Sequence, residues 1–406
     1  MISIDAKRNI RQAFGPVQLV LVSVLVCLVT VTGWCAPYSL ELARASSNAR
    51  AARRVLVAVP VHQMETHVSE SAMSSIQRLK AAMEQVIIAY LRDLPVDVTS
   101  DAGKIERDLT SLLEIDVRGE DAGERYGHEV QFKVGLGQDK RRLLHVKGVV
   151  GLVCGNTDAL LLVFQPENGR WREILKWQNP PYQSISGALN SFDYVVSPED
   201  STGQWYVLAS TAPAWCSSCW GSMQYYVLRP GAQSTTPEVS FSNSAPYYRC
   251  NAGEWQEALA AAPDSFEVRF PGNSLDAVNR IRGHVRHFEL RSGGITRSQP
   301  VADTPRDFVD EWIVSSNADA SLWNSAGRSQ KLKDQHEFLH GYDRSEGLEY
   351  GEITPLHSGS NIFQVELLRY GEDYKVPLRY FLVRQDATFT MLDVRRLPLR
   401  RGLPKH

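Results

Sequence analysis

The sharpest chemical pattern in the chain is His336-Glu337-Phe338-Leu339-His340, a HExxH spacing. Histidines four apart share one face of a helix and can both reach a zinc ion, while the adjacent glutamate can deprotonate a metal-bound water. Read this way, His336 and His340 are metal ligands, Glu337 is the base, and zinc is the cofactor of a hydrolase. The approach to the motif argues otherwise. Lys331, Lys333, Asp334 and Gln335 give it a solvated character, whereas a zinc helix under an active-site cleft needs an uncharged approach. The sequence therefore predicts an exposed helix with two surface histidines, no catalytic residue and no metal, with the zinc hydrolase as the alternative.

The second pattern is Cys216-Ser217-Ser218-Cys219. A redox CxxC needs a helix N-terminus to lower the first thiol's pKa. Here a strand pattern at 205–210 leads in and another at 223–228 follows, so the motif falls in a hairpin loop and reads as structural. Cys154, Cys216, Cys219 and Cys250 form an even set, for which three disulfide pairings are open. The aromatics around these loops, Trp215, Trp220, Tyr247 and Tyr248, are candidate binding residues, because tryptophan and tyrosine supply large recognition surfaces. His284 and His287, three apart on a strand, point to opposite faces and are poorly placed to chelate. Asp310 and Glu311 are adjacent on a helix, which predicts divergent carboxylates that share no substrate.

Targeting is read from the first 34 residues. Lys7, Arg8 and Arg11 precede an uncharged apolar run at 17–34, which predicts a signal peptide or a membrane anchor with everything after it extracytoplasmic, secreted or periplasmic if the signal is cleaved. The chain has 406 residues and a formal net charge of −2, so it carries no general field for nucleic acid. Arginine outnumbers lysine 33 to 11, a composition that suggests a GC-rich bacterial genome.

The elements that must position these residues divide the chain. Residues 1–45 read as signal or anchor. Residues 46–120 read as an Ala/Arg/Ser-rich stalk, over 46–68, followed by a helical segment. In that segment Met73, Ile76, Leu79, Met83, Val86 or Ile87, and Tyr90 recur at spacings of three and four, as do Ile105, Leu109, Leu112 and Leu113. Residues 121–300 are β-rich, with short apolar runs broken by Gly, Pro, Asn and Ser, and predict a propeller- or sandwich-like domain. A Gly-x-Trp step recurs at Gly169, Gly203 and Gly253, where glycine suits the turn and tryptophan opens the next strand. Residues 301–395 begin with a helix behind Pro305 and end in strand patterns at 363–370, 377–384 and 388–394. Residues 396–406 form a basic tail.

Helices first and an antiparallel sheet afterwards resemble the cone fold of the nuclear-transport-factor-2-like superfamily. The resemblance rests on element order over about 100 residues, and it implies a pocket without specifying chemistry. The fold class expected is α+β, mainly antiparallel. The function expected is a non-enzymatic binding or interaction protein of the bacterial cell envelope, its partner a protein, a glycan or a small molecule.

Overall fold

The computed structural model describes residues 39–61, 67–96, 101–117, 125–137, 142–214, 218–248, 250, 257–277, 279–342, 347–371 and 374–396. The apolar run at 17–34 and the tail beyond residue 396 lie outside them. No helix among the described residues is long and apolar enough to cross a membrane.

Three helices come first: α1 (Leu40–Val57), α2 (Glu70–Asp93) and α3 (Ala102–Leu112). Each begins on a side-chain cap, with Ser39, Ser69 and Asp101 accepting from backbone N–H groups of the first turn. The expected stripe on α2 is buried from Met73 to Tyr90, and the helix stops just ahead of Pro95. The stalk expected over 46–68 is instead largely helix. Its small residues Ser46, Ala49 and Ala52 let α1 sit close to α2, and buried Arg53 donates to the backbone carbonyls of Leu113, Gly127 and His128. An Ala/Arg/Ser composition conceals this packing because small side chains, rather than a bulky stripe, make it.

The helices cover one face of an antiparallel sheet ordered β1-β2-β3-β5-β6-β7-β8, with β4 also paired to β3. Its strands are β1 (Val130–Leu136), β2 (Leu144–Gly151), β3 (Thr157–Glu167), β4 (Arg170–Gln178), β5 (Leu189–Val196), β6 (Val207–Pro213), β7 (Trp220–Arg229) and β8 (Glu238–Tyr248). Alternation along β3 sorts its residues cleanly. Leu160, Leu162 and Phe164 pack under the helices, while Ala159, Leu161 and Val163 join the opposite core with Trp205 and Val207. Gly169 turns β3 into β4 at φ +74°, a conformation that glycine adopts without steric penalty, and Trp171 follows on β4 as expected. Lys80 of α2 reaches Asp158 of β3 at 2.8 Å with both side chains fully buried, pinning helix to sheet.

A second antiparallel sheet, β12-β11-β10-β9, comprises β9 (Ala258–Ala261), β10 (Ser265–Asn273), β11 (Ile281–Arg291) and β12 (Gly294–Ser298). It packs on β6–β8 through Tyr206, Leu208, Tyr225, Phe266, Phe270 and Phe288. The C-terminal unit then follows the expected order. Helices α4 (Pro305–Val314), α5 (Asn317–Leu322) and α6 (Ser329–His340) lie on a meander of β13 (Leu348–Pro355), β14 (Ile362–Gly371), β15 (Tyr374–Gln385) and β16 (Phe389–Arg395), around a core centred on Phe308, Trp312, Val365 and Phe381. The protein is α+β with mainly antiparallel sheets.

Candidate functional site

The second sheet meets the C-terminal unit along β11 and α4. Thr304 caps α4 by accepting from Asp307 N, and Pro305 occupies the first turn. The helix is buried on nearly every side, so its two central acids cannot face water. They face Arg282 of β11 instead. Arg282 Nε lies 2.9 Å from Asp310 Oδ1, and Arg282 Nη2 lies 2.6 Å from Glu311 Oε2, with all three side chains at most 3% exposed. Arg297 Nη2 of β12 closes on Glu311 Oε1 at 2.6 Å. Divergence of the two carboxylates was the expectation from helical spacing. The correction has a simple cause: one forked guanidinium can take both neighbours at once.

Electrostatics follow from this arrangement. Burial alone would raise the Glu311 pKa, but the charges of Arg282 and Arg297 overcome it and hold the carboxyl well below its ordinary value. The group therefore stays ionised and cannot lend a proton at neutral pH. His284, two residues along β11, stacks on Phe270 of β10 with ring centroids 5.1 Å apart, and its Nε2 donates to the Asn273 carbonyl at 2.9 Å. Its Nδ1 lies 3.4 Å from Glu311 Oε2 without the alignment of a hydrogen bond. Burial, then the nearby Arg282 charge, lowers the His284 pKa and keeps the ring neutral. A Cβ at Gly272 would come within 2.9 Å of the His284 ring and of the Pro246 carbonyl, so that strand approach requires glycine.

Above this floor opens a cleft of about 680 Å³. Its walls include Trp220 at the start of β7, Phe270, Arg286, the β10–β11 loop with Asp276 and Arg280, and Leu348 of β13. A volume of this order accommodates an ordinary small molecule. Trp220 is 39% exposed and meets Tyr248 edge-on at 4.8 Å. Beside it the Cys219–Cys250 disulfide ties the start of β7 to the end of β8.

The residues singled out from sequence are scattered relative to this cleft. Trp220 lines it. Tyr248 stands behind Trp220 and is half-buried, while Tyr247 is a correction: it is a core residue of the two-sheet interface at 8% exposure. Trp215 and Cys216 lie outside the described residues. Cys154 is exposed on the turn between β2 and β3.

The HExxH residues lie in the C-terminal unit. His336 is 1% exposed, set edge-on to Trp312 at 4.9 Å, with Nδ1 donating to Asn317 Oδ1 at 2.5 Å. It is therefore not the surface histidine expected, because Leu332, His336 and Leu339 together form the buried stripe of α6. His340 Nδ1 donates to the Ile313 carbonyl at 2.9 Å. Glu337 is half-exposed with Lys333 at 4.0 Å. Among the described residues no group of three or more His, Cys, Asp or Glu side chains is arranged to hold a metal ion.

Sequence reasoning missed Arg282, Arg286 and Arg297 as parts of a site. One signal was present: Arg282, His284 and Arg286 alternate along β11 and so share a face, opposite a helix whose acids sit in an otherwise apolar run. No protein-family model, curated protein or solved structure matches the chain.

Proposed function

We propose that the chain is an exported bacterial envelope protein that binds a small ligand, without turnover, in the cleft between its second sheet and its C-terminal unit. The observation that carries this reading is the cleft itself: an exposed tryptophan held by a disulfide on one wall, and a fixed, charge-paired floor. The acids at the floor are engaged by arginines, which suits a rigid receptor surface better than proton transfer. The basic flank and apolar run at the N-terminus support export, and the Cys219–Cys250 pair supports an oxidising compartment. Either fate of the 17–34 run, cleaved signal or retained anchor, fits this reading. We read the C-terminal unit as a cone-fold domain on its order of three helices followed by a four-stranded antiparallel sheet.

Two experiments test the reading. Alkaline phosphatase fused after residue 396 is expected to be active in an intact bacterium, and activity only after lysis would remove the export claim. Titration of the uncharged fluorophore N-phenyl-1-naphthylamine is expected to saturate at one site in the wild type. Val314→Trp and Ala277→Trp, which fill the cleft from two different walls, are expected to abolish that saturation while thermal melting confirms folding. Unchanged binding in both folded variants would place the ligand elsewhere.

A further inference from the structure

Two acids, Asp276 and Glu311, and two arginines, Arg280 and Arg286, line the cleft, but only the arginines are left without a charged partner among the described residues. Its two carboxylates are already engaged: Glu311 by Arg282 and Arg297, each at 2.6 Å, and Asp276 by Arg306 at 2.5 Å. Arg280 and Arg286, which also line it, form no ion pair among the described residues. Arg280 spends Nε on the Ala277 carbonyl at 3.3 Å. Arg286 spends one Nη on Tyr225 Oη at 3.0 Å and the Ser244 carbonyl at 3.3 Å, and its buried Nε has no hydrogen-bond partner. A guanidinium carries five N–H donors, so both arginines keep capacity for an acceptor. Around them the surface is aromatic and apolar: Trp220, Phe270, Leu275 and Leu348. Arg286 itself lies over the Phe270 ring, 5.4 Å from its centroid, which fixes the plane of the guanidinium.

On this basis, and resting on the cleft as the binding site, we propose that the ligand is a soluble small organic anion: a carboxylate, phosphate or sulfonate on an apolar or aromatic body. The anion takes the unspent terminal Nη donors of Arg280 and Arg286, the buried Arg286 Nε being out of its reach, and the body lies against Trp220. Guanidinium suits this role because its fork pairs with two oxygens of one oxyanion and is charged at every accessible pH.

Two probes with the same ring skeleton separate the anionic claim from the cleft itself. 1-Anilinonaphthalene-8-sulfonate carries a sulfonate, whereas N-phenyl-1-naphthylamine carries no charge. Wild-type protein with its disulfide formed is expected to bind the sulfonate about tenfold more tightly than the neutral probe, one charge-assisted hydrogen bond being enough for that ratio. Arg280→Gln and Arg286→Gln are each expected to weaken the sulfonate about tenfold and to leave the neutral probe within about twofold. Trp220→Ala is expected to weaken both. Equal affinities for the two probes in the wild type, or no effect of either arginine substitution, would overturn the anionic assignment while leaving the cleft standing. Failure of both probes to bind would remove the cleft as a site. Retention of the protein on phosphatidylglycerol vesicles, lost in the same arginine variants, would move the anion to a lipid headgroup and overturn the soluble-ligand assignment.

Discussion

Arg282 Nη2 stands 2.6 Å from Glu311 Oε2, with both side chains almost wholly out of water, and this contact fastens the second sheet to the first helix of the C-terminal unit. A charge pair so placed contributes little net stability when intact, because desolvation offsets attraction, but breaking one partner leaves a buried charge uncompensated. Glu311→Gln is therefore expected to cost about 3–5 kcal/mol in chemical denaturation. A double replacement of Arg282 and Glu311 by Met and Leu is expected to recover none of that loss, because it also strands Asp310, which Arg282 holds at 2.9 Å, and Arg297, which Glu311 holds at 2.6 Å. A double variant more stable than Glu311→Gln would show that Arg282 and Glu311 act as an isolated pair rather than as the centre of a four-residue network.

A second buried pair makes a parallel case in the N-terminal part. Lys80 donates to Asp158 at 2.8 Å and to the Asn179 carbonyl at 2.7 Å. Lys80→Met strands Asp158, whose pKa burial already pushes up, and is expected to cost about 3–5 kcal/mol. A loss below about 1 kcal/mol in urea denaturation would mean that water reaches the site in solution.

Acid sensitivity is expected from His145. Its Nδ1 lies 2.7 Å from Tyr194 Oη, and burial lowers its pKa to about 4. The unfolded chain binds the proton near pH 6.5 and the folded one near pH 4, so the neutral ring's contribution is complete above pH 6.5 and is lost as pH falls toward 4. Denaturation midpoints between pH 7 and pH 4.5 should decline, and His145→Gln should flatten that decline. An identical pH slope in the variant would assign the acid sensitivity to other groups, His284 foremost, since its pKa is lowered too.

The disulfide gives a redox prediction. Cys219 and Cys250 are 31 residues apart, and closing a loop of that length restricts the unfolded chain by about 3–4 kcal/mol. Cys219→Ser is expected to lose stability of that order and to weaken probe binding through Trp220. Unchanged binding with reduced stability would confine the bond to a folding role.

Local patterns were readable in the sequence and distant pairings were not. The stripe from Met73 to Tyr90 was visible because helical packing repeats within a few residues, and it is buried as a stripe. The strand β8 was invisible because most of its residues face solvent, as its run Glu238-Val239-Ser240-Phe241-Ser242 shows, and its place comes from backbone pairing with β7. The cleft was hidden for a related reason: Arg282 and Glu311 are 29 residues apart and meet only through the fold. His336 misled in the opposite direction, since charged neighbours concealed a buried position on the helix.

The most direct measurement is the ¹⁹F spectrum of protein labelled with 5-fluorotryptophan, the Trp220 signal being assigned by its loss in Trp220→Phe. Saturating N-phenyl-1-naphthylamine is expected to shift or broaden the Trp220 resonance and to leave that of Trp177, stacked on Phe192 on the larger sheet, in place. Saturable binding with an unmoved Trp220 resonance would contradict the cleft as the ligand site.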